Sequence, residues 1–159
     1  MGVDVVAPYD TDKIRVNAKV GGFDLQAFRL PHGDTFSYGV LIRHSTGETA
    51  LFMTDFEYCR YMFNACKVNH YIIECNYQPM YVELGIGNKE HKLSGHCSID
   101  TCKRFLKTNQ NEYMKSVTLV HLGRESTVPG ECESIIRTAL DNKVAVNCAR
   151  KNTVFDYNA

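Results

Sequence analysis

Neither a global charge nor an apolar anchor marks this sequence. Lys plus Arg (18) balance Asp plus Glu (18), so net charge draws the chain neither to nucleic acid nor to an anionic membrane, and a polyanionic substrate has to be held locally. No apolar run approaches the roughly 20 residues of a membrane span, and Met1-Gly2-Val3-Asp4 lacks the charged-then-apolar pattern of a signal peptide. A cytoplasmic location with no membrane partner is the expectation. Cys-x-x-Cys pairs are missing too. The seven cysteines (59, 66, 75, 97, 102, 132 and 148) are odd in number and scattered inside apolar segments. That pattern points to reduced, mostly buried thiols and away from a disulfide framework or zinc knuckle. Repeats, low-complexity tracts and linkers are also absent, and 44% of the residues are hydrophobic. Residues 1–159 are therefore expected to form a single domain with a real core.

The remaining pattern alternates short apolar runs with turn signals. Val3 to Ala7 and Lys13 to Val16 read as short β-branched strands before Gly21-Gly22. Phe23 to Leu30 alternates apolar with polar, as a half-buried strand does. Phe36 to His44 and Thr49 to Thr54 flank the turn Ser45-Thr46-Gly47-Glu48 and form a hairpin that leads to Asp55. Tyr71 to Asn76 and Ser116 to His121 are further apolar strands that stop at polar groups, and Lys143 to Cys148 and Thr153 to Tyr157 are two closing ones. Residues 77–95, with Pro79, Gly85, Gly87 and Gly95, predict a long loop or lid with at most a short helix. Ser98 can cap a helix carrying Ile99, Cys102, Phe105 and Leu106 on one face. A second helix follows Pro129 and Glu131, with Cys132, Ile135, Ile136, Ala139 and Leu140 at helical spacing.

Chemistry collects at the strand ends. Leu51-Phe52-Met53-Thr54-Asp55 reads as a strand buried on both faces that stops at a carboxylate. Asp55 is then either a site residue or the cap of the segment Phe56 to Phe63. His32, Glu74 and His121 end apolar runs in the same way, and in a layered α/β fold such ends can converge. Two imidazoles and a carboxylate are ligand types for a divalent zinc, manganese or iron ion.

Taken in order, Leu30-Pro31-His32-Gly33, Phe52-Met53-Thr54-Asp55, Ile73-Glu74-Cys75-Asn76, Ser94-Gly95-His96-Cys97-Ser98 and Leu119-Val120-His121-Leu122-Gly123 resemble the second half of metallo-β-lactamase-fold hydrolases. The branch they look most like is the tRNase Z-like group and its bacterial and phage phosphodiesterase relatives. The resemblance implies an α/β fold, the αββα sandwich of that family in its C-terminal half. It implies that His32, Asp55 and His121 are metal ligands, Asp55 being the bridging carboxylate. It also implies that His96 protonates the leaving oxygen and that Glu74 orients His96. The expected substrate is a phosphodiester, in RNA or a nucleotide, and the expected cofactor is zinc or another divalent metal such as manganese or iron. Arg124 and Ser126, just beyond His121, are candidates to meet the substrate phosphate, the alternative for Arg124 being a plain surface position.

One departure bears on the ligand count. The family's His-x-His-x-Asp-His loop has no counterpart here, because the six histidines (32, 44, 70, 91, 96 and 121) are never two apart. The expectation is thus a partial fold. It is either a reduced or inactive metal-dependent hydrolase, or a non-catalytic scaffold that binds a complementing chain or a second copy through its exposed sheet face. His91, between Glu90 and Lys92, is a further candidate for a substrate-facing position.

Overall fold

The computed structural model describes residues 15–84 and 89–151. Its frame is a seven-stranded sheet whose spatial order follows the chain. The strands are β1 (Arg15–Val20), β2 (Phe23–His32), β3 (Thr35–His44), β4 (Thr49–Met53), β5 (His70–Glu74), β6 (Ser116–Val120) and β7 (Ala145–Cys148). From β1 to β4 neighbours run antiparallel through tight turns, and from β4 to β7 they run parallel. Parallel neighbours need crossover connections. Helices α1 (Pro79–Leu84), α2 (Lys89–Gly95) and α3 (Ile99–Asn109) lie between β5 and β6, and α4 (Pro129–Ala139) lies between β6 and β7. The expected strands Val3–Ala7 and Thr153–Tyr157, and the start of Lys13–Val16, lie outside the described residues.

Period-2 burial decides which sheet face is core. Leu41, Leu51, Met53, Tyr71, Ile73, Val117, Leu119, Val146 and Cys148 form one cluster with Ile99, Cys102, Phe105, Leu106, Cys132 and Ile136 of α3 and α4. Burying such a side chain contributes about 1.5–3 kcal/mol. The opposite face carries Phe23, Phe36 and Phe52, exposed at 46%, 60% and 37%, and none of them joins that cluster.

Local geometry corrects one expectation and removes one alternative. Residues 77–95 hold two short helices around 85–88, of 6 and 7 residues. Pro79 supplies a φ suited to a helix start, but segments this short show too few turns for a period to emerge. Phe56 to Phe63 forms no helix; a 3₁₀ turn follows at Asn64–Cys66, so Asp55 has no helix there to cap. Ser98 does cap α3, accepting a hydrogen bond from the Thr101 amide at 3.1 Å. All seven cysteines are free.

At the far end of β5 from the strand-end carboxylates, His70 is 6% exposed. Its Nδ1 meets Ser116 Oγ at 2.8 Å and its Nε2 meets Glu48 Oε2 at 3.1 Å. Burial lowers its pKa below the ordinary 6.5, outweighing the pull of Glu48. The unfolded chain then binds more protons than the folded one below about pH 6.5, so this group's stability is full above that pH and lost as pH falls. Urea midpoints should drop from pH 7.5 to pH 5.5, and His70→Gln should flatten that drop. An undiminished drop in the variant would assign it elsewhere.

Candidate metal centre and proton-transfer site

The middle of the parallel region sets the site. In register, Met53, Ile73 and Leu119 are aligned across β4, β5 and β6, so Asp55, Cys75 and His121 lie level with one another just beyond the strand ends. Regular β extension would turn all three side chains toward the face of Met53, Ile73 and Leu119. Cys75 does so and is fully buried. Asp55 and His121 instead adopt left-handed backbone, φ 54° and 51°, which turns each chain at the strand end and brings both side chains over Glu74. Non-glycine residues hold such angles at a cost of about 1–2 kcal/mol, so surrounding contacts must offset it.

Glu74 supplies those contacts. Its carboxyl is fully buried. Oε1 accepts from His96 Nδ1 at 2.8 Å and from the Cys97 amide at 3.2 Å. Oε2 accepts from the Asp55 amide and from the Phe56 amide. His121 Nδ1 lies 3.3 Å from Oε2 and 3.7 Å from Asp55 Oδ1. A buried charge is tolerated only when its oxygens are satisfied in this way. Because Glu74 accepts, His96 carries its proton on Nδ1, and Nε2 is the basic nitrogen of the neutral ring.

The structure brings four sequence-selected groups together. Donor atoms of Asp55, Glu74, His96 and His121 all lie within 4.8 Å of one another, a group able to hold a metal ion. His32 stands outside that group. Its ring packs edge-on to His96, centroids 4.9 Å apart, and its Nδ1 donates to the Gly95 carbonyl at 2.6 Å. A Cβ on Gly95 would press on the His32 ring at 3.2 Å. Arg124 lies exposed in the turn after His121. Ser126 is 1% exposed and gives its hydroxyl to the Asn76 carbonyl at 3.1 Å, which ties the loop down. The side chain of His91 lies outside the described residues.

The donor chemistry fits a divalent ion. Imidazole and carboxylate ligands suit zinc, manganese or iron(II), and the Asp55 and His121 side chains are 46% and 42% exposed, open to an entering ion. Glu74 is already filled with N–H donors and holds the His96 ring through Nδ1. The nearby thiols of Cys75 and Cys97 are held protonated. Burial pushes Cys97 well above the usual thiol range, and contact with Cys132, together with burial, does the same to Cys75.

The sequence singled out the strand-end acids and histidines but gave no role to Asn76 or Gly123. Gly123 has no room for a Cβ, which would collide with Ser126 Oγ and the Asn76 carbonyl. The signal available was a polar residue three places beyond an apolar run, which many turns share.

No family model matches the sequence, and no curated protein matches it. Solved structures do. The chain is similar to a diphosphatase of the PhnP family, with TM-score 0.54 and 12% identity over 82% of this chain and 42% of that one. It is also similar to Zn(2+)-bound PqqB from Methylobacterium extorquens, with TM-score 0.63 and 12% identity over 84% of this chain and 51% of that one. Both have the metallo-β-lactamase fold, and that is the fold of this chain, present in part. The chain spans about half the length of these solved relatives.

Glu74→Gln puts an amide N–H against atoms that already donate. We expect a loss of roughly 3 kcal/mol in chemical denaturation, the scale for breaking a buried charged pair. A loss below about 1 kcal/mol would show that the carboxyl is not the anchor.

Proposed function

We propose that this chain is a metal-dependent hydrolase module for phosphodiesters, of RNA or of nucleotides. The observation that carries the reading is the buried carboxyl of Glu74, bonded to His96 and in contact with His121 beside Asp55. Asp55 and His121 would hold the ion, with His32 across the ring of His96 as the remaining ligand of the set. A divalent ion bound there would lower the pKa of a water enough to furnish hydroxide near neutral pH and would offset charge on the phosphoryl oxygens. His96, oriented by Glu74 through Nδ1, would take up a proton on Nε2 and, as the imidazolium, give it to the leaving alkoxide. Arg124, exposed in the turn beyond His121, offers its guanidinium to a phosphate oxygen. Ser126 contributes by holding that turn against Asn76. The balanced charge of the chain favours a nucleotide or a short RNA end over a long nucleic-acid footprint.

A second reading is favoured by the exposed Phe23, Phe36 and Phe52 and by the half-length match to the solved relatives. The sheet face would then seat a complementing chain or a second copy, whether or not chemistry occurs.

Loaded with zinc or manganese and desalted, the chain should retain a bound ion. Asp55→Ala and His121→Ala should lose it, and His32→Ala should weaken it. His96→Ala should keep the ion yet hydrolyse a generic aryl phosphodiester about 10²–10⁴-fold more slowly, the usual worth of a positioned acid. Wild-type chain that takes up no ion would contradict the hydrolase reading. A metal-free dimer in size-exclusion chromatography would favour the second.

A further inference from the structure

Asn76, two residues beyond Glu74, touches both histidine-bearing segments of the site. Its side chain is 7% exposed as a residue within the fold. Nδ2 donates to the His121 carbonyl at 3.0 Å, and since a carbonyl only accepts, the amide nitrogen must face it. On the main chain, the Asn76 amide donates to the Cys97 carbonyl at 2.9 Å, and its own carbonyl accepts from the Gly123 amide at 2.9 Å and from Ser126 Oγ at 3.1 Å. One residue thus bonds the segment that carries His96 and, at three points, the turn that carries His121. The missing Cβ at Gly123 is what lets that turn lie flat on it.

His121 needs such a holder. Its left-handed φ of 51° is unfavourable for a residue with a Cβ, and an extended alternative would swing the imidazole away from Glu74 and Asp55. Its carbonyl, turned out of the sheet ladder by that φ, finds its donor in Asn76 Nδ2. We propose that Asn76 is the positioning residue of the site: its side-chain amide holds His121 in the left-handed conformation and so sets the spacing of the His121 and His96 rings, whose centroids are 5.2 Å apart. The assignment to His121 geometry stands on the hydrogen bonds alone; its consequence for metal affinity rests on the hydrolase reading.

The comparison is among wild type, Asn76→Ala, Asn76→Asp and Gln78→Ala. Asn76→Asp keeps the shape but sets an oxygen against the His121 carbonyl. Gln78→Ala loosens the far end of the same loop, where Gln78 Oε1 accepts from the Val128 amide at 2.8 Å, without touching His121. In zinc-free protein, the strong intraresidue Hα–HN NOE that a positive φ gives should be present at His121 in wild type and Gln78→Ala, and lost in both Asn76 variants. Zinc affinity by chelator competition should fall roughly 10- to 100-fold in the Asn76 variants, the usual effect of removing a group that orients a ligand. It should hold within a few-fold in Gln78→Ala. If either folded Asn76 variant keeps the His121 NOE, the assignment is overturned. If wild type takes up no zinc, the hydrolase reading fails, and the NOE comparison still decides the role of Asn76.

Discussion

A carboxyl group with no solvent contact is stable in a protein interior only if donors surround it, and Glu74 is surrounded. Three backbone amides and one imidazole donate to it, and a second imidazole stands 3.3 Å away. These donors come from three places in the chain: the exit of β4, the start of the α3 segment and the exit of β6. Glu74 therefore does more than orient one histidine. It fixes where two neighbouring strands leave the sheet, and those exits hold the unusual backbone at Asp55 and His121. Stability and site geometry depend on the same few bonds, so a change at Glu74 disturbs both.

The parallel half of the sheet makes that convergence possible. Because β4, β5 and β6 run in the same direction, their ends meet at one edge, with β5 and its carboxyl between the other two. Helices α3 and α4 cover one face of these strands, burying Leu51, Ile73, Leu119 and their neighbours. What the helices leave uncovered is equally plain: a face with three exposed phenylalanines and a cavity of about 350 Å³ bordered by Phe23, Ile42, Ala50, His70 and Ile72.

Much of this was legible in the sequence. Alternation marked β2, the turn signals marked the β3–β4 hairpin, and Ser98 marked the start of α3, because each depends on neighbours in the chain. The strand-end positions of Asp55, Glu74 and His121 were visible for the same reason. Their assembly was not, since it turns on two left-handed residues that ordinary propensities disfavour. The short helices α1 and α2 escaped because Pro79 and the glycines from 85 to 95 break any period before it can register. Asn76 has no role that the sequence shows, because its partners lie about 20 to 50 residues away in sequence.

The most direct measurement is native-state amide hydrogen exchange at Asp55, Phe56 and Cys97. All three lie outside regular strands and helices, where exchange is ordinarily fast. If Glu74 anchors the site, their amides should exchange only through openings close in free energy to global unfolding, and all three should lose that protection together in Glu74→Gln. Exchange at the rate of an open loop in the wild-type protein would contradict the account.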